Sequence, residues 1–347
     1  MRVLLTGSAG FIGGAIAEQL ETQGDEVVRV DLLIPEAHAA GTTAAPGTHL
    51  VDVRDSSAVR PLLEGVDVVC HQSAMVGAGV TVADLPSYAS HNDLGTAVLL
   101  AAMHDAGVHR IVAASSMVVY GEGRYVCEEH GDQEPGTRST KALEAGDFEN
   151  HCGLCDRPLS WALVDEDARL DPRSSYAASK VATEHYLTAW ARQSPGAAVA
   201  LRYHNVYGPL MPRDTPYSGV AAMFRSAIEQ GRAPDVFEDG GQMRDFVHVH
   251  DVARANVLSL RQVAEAADES FTTYNVASGE PIPIRRVAEL VAEGTGRDLP
   301  PVISSRYRLG DVRHIVASAE RARERLGFSA EMRPEQGLRE FATAPLR

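Results

Sequence analysis

The sequence predicts an α/β protein, a doubly wound parallel sheet followed by a smaller C-terminal α/β lobe, and three observations predict it. From Arg2 to Ser116 short apolar runs alternate with amphipathic stretches, the pattern of strands and helices in a parallel sheet. The first run, Val3 to Leu5, passes through Thr6 into glycines at 7, 10 and 13 and then into a helix beginning near Phe11. The chain has 347 residues, more than one minimal core needs, so two lobes are expected.

The elements follow in order. After the strand at 2–6, Gly7 permits a tight turn and Gly10 lets backbone amides approach a pyrophosphate with no Cβ in the way. Gly13 allows close helix–strand packing, and Phe11 and Ile12 complete the cradle at the helix start. The second strand, 26–30, ends in Asp31, where a dinucleotide fold sets a carboxylate on the adenosine ribose. An acid there accepts from both ribose hydroxyls and repels a 2′-phosphate, so NAD rather than NADP is expected; the competing reading is a solvated turn aspartate. Strands are also expected at 48–52, 66–71 and 110–115. Asp52 and Val53 end the third at the sheet's carboxyl edge, placed for an adenine amino group and ring, although Asp52 equally suits a helix N-cap before Ser56. Ser73 and Ala74 follow the fourth and are small enough to leave room for the cofactor's backbone. Cys70 reads as a small core residue and His71 as a structural hydrogen-bonding one.

Helix 91–106, with Asn92, Gly95, Ala101 and Ala102, has a smooth face, and a second helix runs from Tyr176 to about Arg192. Two such helices from each of two chains make a four-helix interface, so a homodimer is expected. From Val199 the order loosens: a strand at 198–202, a Pro/Gly loop at 208–219, a helix at 220–230, short strands at 235–237 and 245–247, and helices at 250–265, 284–293 and 318–326. This gives a nucleotide-binding domain at 1–200, carrying an insertion at 122–171, and a substrate lobe at 201–347 from which some segments return to the sheet. An Ala/Gly/Thr loop at 37–48 is the one biased stretch.

The formal charge of −15 argues against nucleic acid as a partner, and an anionic substrate must then be met by a few placed arginines. Charges interrupt every apolar stretch well short of the roughly 20 residues of a bilayer span, and Arg2 leads straight into a strand, so no membrane partner and a cytoplasmic location are expected.

Chemistry enters with SSMVVYG at the end of the fifth strand and Tyr176-Ala-Ala-Ser-Lys180 at a helix start. Tyrosine and lysine four apart share a helix face. An ordinary phenol ionises at about 10, so a useful fraction of phenolate at neutral pH needs about 4 kcal/mol of differential stabilisation. Lys180 and a positive nicotinamide ring together supply it, and Ser116 shares the proton and holds the substrate oxygen. Alone, YxxxK also describes a solvated helix face; the preceding motifs in order decide for chemistry.

With these residues in hand, the chain resembles the extended short-chain dehydrogenase/reductases, in the NAD-dependent nucleotide-sugar epimerase/dehydratase branch, whose core is a Rossmann fold. The resemblance covers nearly all of it, from GSAGFIG through DVRD, HQSA, SSMVVYG and YAASK to RYHNVYGP, RDFVHVHD, YNVASGE and GDVRH. It implies Ser116, Tyr176 and Lys180 as catalytic residues, and Asn205, Arg244 and Arg313 as contacts to the substrate diphosphate or ribose. Each arginine has an ion-pair alternative, most directly Arg244 beside Asp245. Family members that eliminate water carry an Asp-Glu pair directly after the catalytic hydroxyl residue; Met117 and Val118 stand there and transfer no protons, so dehydration drops out. What remains is 4-epimerisation of a nucleoside-diphosphate sugar through a transient 4-keto sugar. A 4-ketoreductase or dehydrogenase is the alternative, and an inactive NAD sensor a function of another class. The segments MPRDTPYSGVAAMF and PDVFEDGGQMRDFVHV are similar to those of members acting on dTDP-linked 6-deoxyhexoses such as dTDP-L-rhamnose, with UDP-hexoses behind; His204 and His250 depart from the family pattern.

The insertion holds a separate signal. Cys127-Glu-Glu-His130 and Cys152-Gly-Leu-Cys155 are two short-spaced ligand pairs, the pattern of a closed structural zinc site, with His151 as a substitute for His130 and reduced thiols as the alternative.

Overall fold

The strand that carries the glycine turn lies inside a seven-stranded, wholly parallel sheet, next to its central strand. From one edge the order is Ser270–Val276, Ala197–Tyr203, Arg110–Ser116, Val68–His71, Arg2–Thr6, Glu26–Asp31, His49–Leu50. This computed structural model describes residues 1–34, 38, 42–77, 81–213 and 219–347; parts of the 37–48 loop and of the MPRDTPYSG stretch lie outside the described residues. Strand order reverses between Arg2–Thr6 and Val68–His71, and the crevice at their carboxyl ends is where such a sheet binds ligands.

Both faces of the sheet are covered, which is why its central strands read as unbroken apolar runs. On one face Ile16 and Leu20 of the helix Phe11–Thr22 and Val252 and Leu260 of the helix Val249–Ala264 pack on Leu5 and Val112. On the other, Leu99 and Met103 of Gly95–Ala106 and Leu187 and Trp190 of Ser175–Gln193 pack on Leu4, Val69 and Ile111. A separate core around Tyr207, Phe224, Leu290 and Phe341 joins the helices Val220–Glu229, Ile284–Thr295 and Pro334–Phe341 into the second lobe.

Several expected elements differ. The third strand shrinks to His49–Leu50, both exposed, at the sheet edge. The helix expected from 91 forms a π-helical turn, Ala89–Leu94, before Gly95–Ala106, and the helix expected at 318–326 is only the π-helical turn Ala322–Leu326. The edge strand Ser270–Val276 and the helix Pro334–Phe341 are additions: the strand's first half is only partly buried, which weakens its pattern. The insertion folds as a small antiparallel sheet in the order Gly131–Gln133, Arg124–Cys127, Ser160–Ala162. No helix among the described residues is long and apolar enough to cross a membrane.

Candidate active site

The cradle is shaped by what its glycines leave out. Gly7 turns at φ +70°, and a Cβ there would stand 2.8 Å from the Ser73 amide; one on Gly13 would stand 2.0 Å from the Gly7 carbonyl. The loop therefore presses against both the neighbouring strand end and its own helix. Thr6 fixes that strand end, its Oγ1 accepting from the Gln72 and Ser73 amides at 3.1 Å each. The helix Phe11–Thr22 starts at Gly10 with no side-chain cap, so its first amides face the crevice available for an anion. These features fit a dinucleotide diphosphate.

Asp31 is buried and accepts from the amides of Ala9 (2.9 Å) and Leu33 (2.8 Å), with His38 Nε2 3.5 Å away. Burial alone would raise its carboxyl, but His38 and the two amides hold it below the ordinary carboxylate range. It is therefore charged at neutral pH, as repulsion of a 2′-phosphate requires. Asp31→Ala is expected to reduce the preference for NAD over NADP about tenfold, close to 1.4 kcal/mol, read from the two dissociation constants; an unchanged ratio would show that this carboxylate does not face the ribose.

Asp52 is neither the helix cap nor an open acceptor. Arg54 clasps it through Nε (2.9 and 3.0 Å) and Nη2 (2.5 Å), and the cap of Ser56–Val59 is Asp55. Val53 is buried against Gly95. Ser73 and Ala74 are half-buried at the strand end, as their size suggested.

Tyr176 occupies the first turn of Ser175–Gln193, which Ser174 caps by accepting from the Ala177 amide. One turn on, Lys180 is buried, donates from Nζ to the Ala114 carbonyl at 2.9 Å and lies 5.8 Å from the centre of the Tyr176 ring. Ser116, ending Arg110–Ser116, lies beside the phenol and favours its ionised form. Loss of water around its hydroxyl pushes the phenol up to about 12 against the pull of Ser116, and burial pushes Lys180 down to about 8. With the chain alone the phenol is thus protonated at neutral pH, and a phenolate requires a further positive charge beside it.

Asn92, within the π-helical turn, is a functional position that sequence reasoning treated only as part of a smooth face. Buried, it accepts from the Met75 amide (2.7 Å) and donates to the Met75 carbonyl (2.9 Å) and to Ser179 Oγ (2.9 Å), tying the cofactor-side loop to the helix of Tyr176 and Lys180. Ser90, His91 and Asp93 beside it are equally polar, so the sequence carried no signal that set Asn92 apart. Behind the site, Glu184 accepts from Ser115 (2.5 Å) and Arg202 (2.7 Å), and Arg202 donates to the Tyr120 hydroxyl at 2.7 Å.

The register Ser116↔Tyr203 brings Asn205, two residues further on, to the second lobe beside a cavity of about 440 Å³. Asn205 Oδ1 is buried with no partner among the described residues, and Arg244, Arg232, Arg306 and Arg308 line the same space. Arg244 donates to the carbonyls of Met243 (2.8 Å), Arg313 (2.9 Å) and Val312 (2.7 Å), and Asp245 turns away to the amides of Ser278 and Gly279. The ion-pair alternative for Arg244 therefore does not hold. Arg306 and Arg308 lie over the Phe237 ring, 4.8 and 5.2 Å from its centre, Arg306 also pairs with Asp235, and Glu238 and Asp311 line the same cavity. Arg232, Phe237, Arg306 and Arg308 escaped the sequence reading because two segments about 70 residues apart supply them.

Arg313 corrects the expectation placed on it. Its fully buried guanidinium is taken by Glu149 (2.6 Å), Glu238 (2.9 Å) and Asp239 (2.8 Å), leaving no fork for a diphosphate. His204 is buried, with neither ring nitrogen partnered among the described residues, and burial and Arg244 push it down to about 3, so it is neutral. His250 is exposed, meets His248 edge to face with ring centres 4.8 Å apart, and is not among the residues lining the cavity. His71 bridges Thr6 and Thr96 and is structural.

A model of the NAD dependent epimerase/dehydratase family matches residues 3–142 and 160–277. A dTDP-L-rhamnose 4-epimerase of Burkholderia thailandensis is 32% identical over 354 aligned residues, covering 99% of this chain and 94% of its own length. Among solved structures, the Thermus thermophilus UDP-glucose 4-epimerase complex with NAD aligns with a TM-score of 0.75 at 32% identity, covering 99% of this chain and 98% of that one. The Thermotoga maritima UDP-glucose 4-epimerase with UDP-glucose gives a TM-score of 0.79 at 27% identity, covering 99% and 97%.

Proposed function

Because this chain belongs to the NAD dependent epimerase/dehydratase family, we propose that it is an NAD-dependent enzyme that inverts C4 of a nucleoside-diphosphate sugar. The observation that carries this reading is the trio Ser116, Tyr176 and Lys180 at the mouth of the glycine cradle, followed by Met117 and Val118, which offer no acid or base for eliminating water. The cradle and Asp31 hold the NAD, which when bound accepts and returns a hydride at the sugar carbon. Tyr176 takes the hydroxyl proton and gives it back, Ser116 holds the reacting oxygen, and Lys180 supplies the adjacent positive charge. The arginine-lined cavity supports a bound diphosphate, and a dTDP-linked 6-deoxyhexose such as dTDP-L-rhamnose is the leading substrate; the UDP-sugar epimerases among the relatives make UDP-hexoses the next candidates.

Incubation with a panel of dTDP and UDP sugars and no added cofactor is expected to yield the C4 epimer without accumulation of NADH and, in D₂O, without deuterium at C4. Stoichiometric NADH would establish a dehydrogenase instead. Light scattering on the same preparation is expected to give the mass of two chains. The exposed Leu94 and Tyr186, on or beside the paired helices Gly95–Ala106 and Ser175–Gln193, support that dimer, and a monomer would exclude it.

A further inference from the structure

We infer that Cys127, His130, Cys152 and Cys155 bind one zinc ion in a closed tetrahedral site, and that this site holds in place the wall of the arginine-lined cavity. The four ligand atoms lie within 4.8 Å of one another. Cys127 Sγ is 3.5 Å from His130 Nδ1 and 3.7 Å from Cys155 Sγ, and Cys152 Sγ is 3.5 Å from His130 Nδ1. A tetrahedron with Zn–S near 2.3 Å and Zn–N near 2.0 Å has S–S edges of about 3.8 Å and S–N edges of about 3.5 Å, so these separations already have the size a zinc ion spans. A disulfide needs about 2.05 Å, and all four cysteines are free thiols.

A further feature points to the metal. The ligands of this knot meet over little apolar core: among the described residues, Tyr125 and Leu159 are the large buried apolar side chains that cluster with the cysteines. His151 is not the fourth ligand, since its ring bonds the Asp156 carbonyl (2.8 Å) and Asp147 (3.2 Å) in its own turn.

The knot is wired to the cavity. Tyr125, two residues before Cys127, receives the His314 amide on its hydroxyl (2.8 Å) and donates to Glu122 (3.2 Å). Asn150, two before Cys152, donates to the same Glu122 oxygen (3.2 Å), which also accepts the Arg313 amide (2.9 Å). Glu149 holds both Arg313 (2.6 Å) and His314 (2.9 Å). Val312 and Arg313 in turn offer the carbonyls that orient Arg244. Removing the zinc would let this segment shift, and Arg244 with it. The metal site stands apart from the catalytic reading; its effect on substrate binding rests on that reading.

Metal analysis of the purified full-length protein is expected to find about one zinc per chain, retained through dialysis, and cobalt in its place to give the intense visible bands of a tetrahedral thiolate site. Cys155→Ser is expected to lose the zinc and raise KM for the sugar nucleotide about tenfold with kcat and NAD affinity little changed, whereas His130→Cys retains both zinc and KM. If Cys155→Ser does not fold, the cobalt spectrum of the unaltered chain decides the site alone. Protein without zinc and without those bands would overturn the site. A zinc-free variant with unchanged KM would overturn its link to the cavity, and zinc-loaded protein inert toward every sugar nucleotide would instead sink the proposed reaction.

Discussion

Tyr176→Phe is expected to lower kcat by about 10²–10⁴, the range for loss of a general acid–base, while leaving the affinities for NAD and sugar nucleotide close to their starting values. The ring stays, with its packing at 6.0 Å from Tyr88 and 5.8 Å from Lys180, and only the hydroxyl beside Ser116 is lost. The pH dependence follows from the same geometry. The phenol of the chain alone sits at about 12, so the active complex must lower it, and the rate should rise with pH as the phenolate forms. Lys180, charged below about 8, contributes to that lowering. Lys180→Met should therefore move the rising limb of the kcat profile to higher pH, beyond reducing kcat. Near-normal turnover of the phenylalanine variant would remove Tyr176 from the mechanism.

Arg244→Ala should raise KM for the sugar nucleotide about 10²-fold, roughly 3 kcal/mol, with a smaller change in kcat. Arg244 is the half-buried cation of the cavity, and three carbonyls aim its guanidinium rather than neutralise it, so its charge is available to a diphosphate. The NAD site is built from other segments, and its affinity should not change. Arg244→Lys keeps the charge without the fork and should recover only part of the loss. Binding measured by calorimetry checks both variants, and an unaltered KM in the alanine variant would move the diphosphate elsewhere.

The motifs legible in the sequence were those whose parts lie close along the chain. Gly7, Gly10 and Gly13 form one turn, and Tyr176 and Lys180 are one helical turn apart, so backbone geometry alone sets their relation. The Cys/His pairs proposed to hold zinc are local in the same sense, but the choice of His130 over His151 depended on which ring turned toward the other pair. Arg313 shows the opposite limit: in sequence it is one more arginine in GDVRH, yet carboxylates from 149, 238 and 239 enclose it and give it a structural task.

By itself, then, the sequence determined the parallel sheet, the glycine cradle with Asp31, and the order of Ser116, Tyr176 and Lys180, because apolar period and short-range spacing are properties of the chain before it folds. Only the tertiary structure decided that Arg54 occupies Asp52, that Asn92 ties the cofactor loop to the catalytic helix, and that Arg232, Phe237, Arg306 and Arg308 join Arg244 around one cavity. Those pairings bring together groups from distant segments, and which partner wins a buried charge or amide depends on what packing leaves within hydrogen-bond reach, a quantity no local pattern encodes.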